Sequence, residues 1–263
     1  LLRRNVEGGP RISDLQHTAF RTILGSKGEL GKAWNYDAYF QYGRTNYSQV
    51  YSNEFSTARL NNALDVIDDP RVAGIQPICR SALSGVDTNC QPYDIFGGKP
   101  SAASLAYLSA TGFLKGKTEQ QIYSATVSGQ LGEYGIQSPL ATNGAGIALG
   151  IEHRQDSLEL QPDNAFSTGD LTGQGAPTLP VSGSYEVTEL FGELELPIIQ
   201  DGFIQNLSFN GGYRYSKYGV SNGRNFNTST YKLGADFTPI SDIRFRAAYN
   251  RAVRAPNIQE LFA

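Results

Sequence analysis

The side chains that most often carry catalysis are few and scattered in this sequence of 263 residues. Its two histidines, His17 and His153, are far from the cysteines, and no pair of these residues has metal-ligand spacing. The GxSxG motif of a serine nucleophile and the HExxH motif of a zinc centre are both missing. We therefore expect a protein that is not an enzyme and that carries no metal or cofactor.

Two weaker groupings also have simpler explanations than chemistry. Glu193 and Glu195 share one face of a strand, as paired carboxylates do in acid–base catalysis, but a polar face directed to the lumen explains them more simply. Gly144, Gly146 and Gly150 form a loose glycine cluster whose spacing departs from a dinucleotide fingerprint. Within a strand, glycines more simply allow bending and close packing.

The two cysteines, Cys79 and Cys90, lie close together in a stretch that also carries Gly and Pro. This spacing favours a local disulfide over two free thiols. Such a bond would stabilise the fold by on the order of 2–3 kcal/mol through the entropy of the closed loop. It would also indicate an oxidising compartment, such as a periplasm or a cell surface.

Alternation of apolar and polar residues with a period of two runs through most of the sequence and predicts β-strands with two different faces. In 205–216, for example, Leu207, Phe209 and Tyr213 share one face. We predict about nine strands from this alternation. Their approximate positions are 1–6, 16–24, 34–43, 123–131, 145–152, 186–196 (where Phe191 interrupts the polar face), 205–216, 230–238 and 243–250.

The polar faces of the later strands carry several charged residues. They suit a water-filled lumen and are candidates for contact with a solute, although they could instead pair with carboxylates on neighbouring strands. These residues are Arg214, Lys232, Asp236, Arg244 and Arg246.

The predicted connections alternate in length, which favours a transmembrane β-barrel over a soluble β-sandwich with the same strand pattern. Short links are expected near 25–32, 132–143, 198–204 and 239–242. The intervening links, two of them long, are expected near 7–15, 56–117, 161–182 and 221–226. Trp34 and Tyr36, beside a short turn, fit an aromatic girdle at the membrane interface.

The longest connection, 56–117, shows no clear strand alternation and contains both cysteines. Its first residues have helical spacing, with Leu60, Leu64 and Ile67 on one side. We interpret it as a long extracellular loop. A disulfide would make it a structured loop that shapes ligand access, or a surface loop with no ligand contact.

Composition excludes several classes of protein. The net charge of -3 provides no basic field, so nucleic acid is not an expected partner. No apolar run approaches the ~18 residues of a membrane helix, which says little about a barrel. The sequence begins at Leu1, contains no Met and shows no signal-like region, so we expect an internal fragment of a longer protein.

The C-terminal stretch carries the most specific motif. It resembles the Arg-Ala-Pro-x-Ile/Leu-x-Glu-Leu-Phe signature of TonB-dependent outer-membrane receptors, in which Pro256 is expected to end strand pairing. The opening Arg3–Gly9, the Trp34–Tyr36 segment and the two-cysteine loop also resemble this family. The matching signature residues are Arg254, Ala255, Pro256, Ile258, Glu260, Leu261 and Phe262.

This resemblance implies that residues 1–263 are a partial barrel domain of an all-β, antiparallel receptor. Family barrels have about 22 strands around an N-terminal plug, and here the plug and the TonB-contacting box would lie outside the chain. The family imports siderophore complexes, haem, cobalamin or oligosaccharides with energy delivered through TonB. The implied partners are TonB, outer-membrane lipid and the solute. A passive porin and a barrel hydrolase remain alternatives.

Overall fold

The protein is described here by a computed structural model that covers residues 6–96 and 99–262. Eight strands form one sheet in which neighbours follow chain order, and every register that is resolved is antiparallel. β3 and β4 form a separate short antiparallel pair. The strands are β1 Ile12–Leu30, β2 Trp34–Phe55, β3 Val66–Asp68, β4 Pro77–Cys79, β5 Ser109–Gln130, β6 Gly146–Pro162, β7 Val181–Gln200, β8 Asn206–Val220, β9 Asn225–Ile240 and β10 Ile243–Arg251.

The eight-stranded sheet confirms the all-β prediction. The two longest connections, 56–108 and 163–180, are both among the links predicted to be the intervening ones, but the link 131–145, predicted to be short, is longer than the intervening link 221–224. β1 and β10 are the two ends of the strand order, so the sheet is not closed among the described residues. The ninth strand predicted, near 1–6, falls mainly on residues outside the described part of the chain, as does most of the opening segment Arg3–Gly9 that resembles the receptor family.

Several strands are longer than the alternation predicted. β5 begins at Ser109, so the last nine residues of the loop predicted at 56–117 belong to a strand. β2 likewise continues to Phe55, well past the predicted end near residue 43. The physical reason is that these added segments carry polar side chains on both faces, as in Arg44–Asn46 of β2, so the apolar–polar alternation fades there while backbone pairing continues.

Short helices occupy the connections. Ser56, Ser101 and Asp163 each act as an N-cap, because the side-chain oxygen accepts a hydrogen bond from the backbone N–H three residues later. None of the described helices has the length and apolar character needed to cross a membrane. The helices are α1 Thr57–Leu64, α2 Arg80–Leu83, α3 Ala102–Leu108, the 3-10 helix Leu131–Tyr134, α4 Asn164–Thr168 and α5 Ile258–Phe262.

The residue contacts divide the chain into two units. The loop unit comprises the described parts of 1–18, 46–117 and 159–181. The wall unit comprises the described parts of 19–45, 118–158 and 182–263.

The loop unit has a conventional buried core around the disulfide between Cys79 and Cys90. Phe55 and Tyr93 contact each other edge to face in this core, with ring centroids 5.9 Å apart. A second cluster packs Phe166 of α4 and its neighbours against the upper strands. The two sets of buried residues are Phe55, Ala63, Cys79, Cys90, Tyr93 and Leu108, and Leu114, Phe166 and Leu171.

The wall unit has one apolar face and one polar face, and the strand register keeps them separate. Leu233 of β9 lies opposite Gly211 and Tyr249, whereas the adjacent Lys232 lies opposite Gly212 and Asn250. Because side chains alternate across a strand, each ladder position puts like residues on the same side of the sheet. We call the side with Leu233 the apolar face and the side with Lys232 the polar face.

The large side chains of the apolar face are exposed. Leu233 is 61% exposed and Tyr249 is 64% exposed. On β2 the apolar row runs from Trp34 to Tyr42, a span of roughly 26 Å at about 3.3 Å per residue. That length is close to the ~25 Å apolar band of outer-membrane barrels.

Candidate functional site

The charged residues predicted to contact a solute all lie on the polar face, where they form three separate ion-pair groups. Arg214 Nη1 lies 2.8 Å from Glu189 Oε2, and the other oxygen of Glu189 accepts a hydrogen bond from the Ser216 hydroxyl. Arg244 and Arg246 both pair with Asp236. The Arg214 and Lys232 groups are neutral, and the Asp236 group keeps one positive charge because two arginines share its carboxylate. The structure thus places these residues on the predicted face without gathering them into one site.

Lys232 pairs with Glu193 across an intervening strand. Lys232 Nζ lies 3.1 Å from Glu193 Oε2, although β9 and β7 are separated by β8. Gly212 of β8 lies between them in register, and a Cβ at Gly212 would be 3.0 Å from Lys232 Cε. The missing side chain leaves the space through which the two charged side chains meet. Glu193 is thus an ion-pair partner here. Alternation placed it on the polar face, but its pairing with Lys232 depends on the register of three strands.

Phe191, which interrupts the polar face of β7, has a defined packing role. A Cβ at Gly150 would overlap its ring, so the aromatic side chain lies flat over the glycine of the next strand. The guanidinium of Arg214 lies over the other side, 4.6 Å from the ring centroid. Of the glycine cluster at 144–150, Gly150 therefore serves close packing.

A row of polar side chains crosses three strands of the wall unit and was not identified from the sequence. Gln41 Nε2 donates to Gln120 Oε1 at 3.0 Å, and Gln120 Nε2 donates to Asp156 Oδ1 at 2.9 Å. Arg154 Nε lies 3.2 Å from the other oxygen of Asp156. We call Gln41, Gln120 and Asp156 the amide row. Alternation assigns each residue to a polar face, but only the register between strands brings them together.

The signature segment folds back over the polar face of β7. Its strand ends at Arg251, so the expectation that Pro256 ends strand pairing was wrong: the ladder has already ended before the proline. A Cβ at Gly183 would overlap the ring of Phe262, which shows that this ring lies directly on β7.

Hydrogen bonds inside the signature segment fix its turn. Asn257 Oδ1 accepts from the Glu260 N–H, and Glu260 Oε2 accepts from the Asn257 N–H, which is a reciprocal capping box. Arg254 Nη2 lies 2.6 Å from Glu260 Oε1. Both partners favour the ionised carboxylate, so the pKa of Glu260 is held below its usual range, with the Arg254 hydrogen bond as the larger cause. Arg254 and Glu260 thus shape the segment, whereas Ala255 and Leu261 make no polar side-chain contact by their chemistry.

In the loop unit, the carboxylate of Glu54 joins a strand end to a connection. Its side chain is fully buried and lies 2.7 Å from Arg11 Nε. It also accepts hydrogen bonds from the Thr172 hydroxyl and the Gly173 N–H. Removing one partner would leave a buried charge uncompensated, so this group anchors the connection 163–180 to β2.

Hydrogen bonds also fix the disulfide-bearing connection. Arg71 binds both oxygens of Asp69, which lowers the pKa of that carboxyl to about 2. Asp87 accepts hydrogen bonds from Tyr107 and Asn62, which lower its pKa. The connection is therefore a structured element rather than an open loop.

The remaining sequence candidates carry no site. His153 Nδ1 lies 2.9 Å from the Thr188 hydroxyl, and the His17 ring lies beside Tyr47. Within residues 6–96 and 99–262, no cluster of three or more His, Cys, Asp or Glu side chains could hold a metal ion. Trp34 donates from its indole to the Tyr134 hydroxyl at 3.1 Å, beside the link between β5 and β6.

Comparison with known families agrees with these features. Residues 3–263 match the family model described as TonB dependent receptor-like, beta-barrel. No curated protein sequence matches the chain significantly. The match covers nearly the whole sequence and removes the soluble β-sandwich as an alternative. The chain belongs to the TonB-dependent receptor β-barrel family, whose members are in general receptors and transporters of the bacterial outer membrane.

Proposed function

We propose that the chain forms part of the barrel wall of an outer-membrane active transporter. This transporter binds a scarce solute, from the group of siderophore complexes, haem, cobalamin and oligosaccharides, and imports it with energy coupled through TonB. The observation that carries the proposal is the wall unit's division into an exposed apolar face and an ion-paired polar face within a receptor family. In the parent protein the apolar face contacts outer-membrane lipid and the polar face lines the lumen.

The proposed mechanism is binding followed by energised passage, with no bond made or broken in the solute. The structured connections 56–108, between β2 and β5, and 163–180, between β6 and β7, each follow a strand of the same direction and act as the extracellular capture surface. Polar side chains of the wall, including Arg214, Lys232 and Arg246, keep the path hydrated. Their ion pairs give this part of the lumen a small net charge, since three carboxylates face four cations.

The test measures energy dependence in the full-length parent receptor. Uptake of labelled solutes would be compared in cells with TonB, without TonB and with the proton-motive force collapsed by an uncoupler. An active receptor loses uptake in the second and third conditions while surface binding persists. Uptake that survives the loss of TonB would identify a passive porin instead and would overturn the proposal. A heat-modifiability gel checks that the barrel is assembled in every strain.

A further inference from the structure

A cavity of about 690 Å³ lies on the polar face of the wall unit, apart from the three ion-pair groups. Its size falls within the ~300–1,000 Å³ range of small-molecule sites. The amide row lines it on one side, and the signature segment lines it on another. The lining side chains that matter here are Gln41, Gln120, Asp156, Tyr185, Asn257 and Gln259.

The lining groups both donate and accept hydrogen bonds. Within the amide row each bond runs in the same direction, from Gln41 to Gln120 to Asp156. Each carboxamide has two N–H donors and an oxygen with two lone pairs, so every Gln keeps capacity beyond its neighbour in the row. Asn257 and Gln259 add two more carboxamides from the signature segment. A hydroxyl group, which is both donor and acceptor, matches such a lining.

The charges around the cavity are largely compensated. Arg154 lies beside Asp156 on the polar face, whereas the ion pair between Arg44 and Glu119 lies on the opposite face, where Glu119 also accepts a hydrogen bond from Tyr42. Arg21 also belongs to the wall, and its side chain is exposed. A cavity built for a strongly charged solute would present clustered charges of one sign, whereas this wall presents one ion pair, a single further arginine and carboxamides.

The wall contributed by the signature segment is held in place before any ligand arrives. The capping box between Asn257 and Glu260 fixes the turn, and Phe262 rests on Gly183. Little conformational freedom is left for a ligand to remove, which favours binding. Tyr185 adds an aromatic side chain on which an apolar C–H face can pack.

We propose that this cavity is a subsite for an uncharged, polyhydroxylated solute, namely an oligosaccharide. The amide row supplies hydrogen bonds to its hydroxyl groups, and the signature segment supplies the opposite wall. This inference rests on the proposed receptor function, because it names the class of solute that the receptor takes.

The test is isothermal titration calorimetry on the full-length receptor in detergent. The probes are maltopentaose, xylopentaose and chitopentaose, with ferric citrate as an anionic comparison. We expect at least one pentasaccharide to bind, and Gln120→Leu to weaken that binding by about tenfold or more, as the loss of paired hydrogen bonds implies. The matched control is Gln121→Leu, the same change one position along β5 on the opposite face.

The other outcomes of the titrations and uptake assays separate the subsite from the proposed function. The inference is overturned if none of the three sugars binds, or if Gln120→Leu and Gln121→Leu bind equally well. Binding of ferric citrate without binding of any of the three sugars would indicate an anion site and would overturn the inference. TonB-dependent uptake of ferric citrate without sugar binding would keep the proposed function and remove this subsite. Sugar binding without TonB-dependent uptake would keep the subsite and overturn the proposed function.

Discussion

The loop unit and the wall unit use their apolar residues in opposite ways. In the loop unit, Leu108 and Ala63 are fully buried around the disulfide, as in a small secreted domain. In the wall unit, Leu190, Leu233 and Tyr249 are more than half exposed. Exposed apolar patches of this extent on a soluble protein would promote aggregation, so they indicate a surface whose solvent is lipid. The two units are therefore stabilised by different surroundings.

The contrast extends to the polar groups. The loop unit buries the Glu54 carboxylate completely and satisfies it with Arg11, Thr172 and Gly173. The wall unit leaves its ion pairs partly exposed, with Lys232 and Glu193 both about half accessible. Exposed pairs contribute little to stability, typically about 0–1 kcal/mol. We infer that the polar face of the wall is arranged for hydration more than for stability.

The largest effect is expected from a substitution that tests which face of the wall unit contacts lipid. Leu233→Arg in the full-length receptor should destabilise the barrel by roughly 2–4 kcal/mol, because a cation near the middle of the lipid face is costly. Leu233 is a better site for this test than Phe237 or Phe245, which stack on each other beside the short link 241–242. The measurement is the free energy of unfolding in urea from lipid vesicles.

The control for this variant is Lys232→Arg, which places the same side chain at the next position on the polar face. It should assemble normally and keep its pairing with Glu193. If Leu233→Arg were as stable as this control, the two faces would be reversed.

A second prediction concerns the loop unit alone. The double change Cys79→Ser and Cys90→Ser should destabilise the connection 56–108 by on the order of 2–3 kcal/mol. Limited proteolysis on intact cells should then cut the double variant within this connection and leave the same connection of the parent protein intact. Heat-modifiable gel mobility of the barrel should not change. Loss of barrel assembly in the double variant would show that the two units do not differ in the way described above.

A third prediction sharpens the role of the signature segment. Gly183→Ala introduces a Cβ that overlaps Phe262, so the segment must shift, at a cost of typically about 1–3 kcal/mol. A spin label at Gln259 should become more mobile. The matched control is Gly211→Ala on β8, where the added Cβ would make an ordinary contact at 3.5 Å with Leu233. Equal label mobility in the two variants would contradict the docking of Phe262.

The smallest effect is a pH dependence of the same segment. Because the pKa of Glu260 lies below its ordinary value of 4.5, the folded turn of the segment, with its hydrogen bonds from Arg254 and Asn257, favours the ionised form. The stabilisation of the segment by ionised Glu260 is therefore complete at a pH above 4.5, and it is lost as the pH falls through the lowered pKa. The Gln259 label should gain mobility upon acidification in the parent protein. Glu260→Gln should remove this pH step, and a step that persists would exclude Glu260 as its source.

The sequence predicted the strand segments that have one apolar face and missed the strand segments beyond them. Alternation in 205–216 and 230–238 was sufficient because lipid and water select different side chains on the two faces. The upper part of β2, beyond Tyr42, shows no such contrast, since Arg44, Asn46 and Ser48 are polar on the side where apolar residues stood before. Strand ends outside an apolar band are therefore poorly predicted by any hydropathy pattern.

Predicting the site required knowledge that alternation does not contain. The position of Lys232 on the polar face was predictable, but its bond to Glu193 depends on the register of three strands and on Gly212. The contact of Phe262 with Gly183 joins residues far apart in sequence. The signature motif was recognised from its residue types, whereas its fold-back geometry needed the structure.

The burial of the disulfide gives the loop unit a means of reporting its own motion. Cys79 is fully buried and Cys90 is 4% exposed, so an aqueous reductant cannot reach the sulfur atoms while the core stays closed. Reduction must then wait for a local opening event, and its rate measures how often the connection unfolds. The rate at which a reductant releases free thiols would thus measure the rate of loop opening. Slower release upon addition of a solute would show that the solute holds the loop closed.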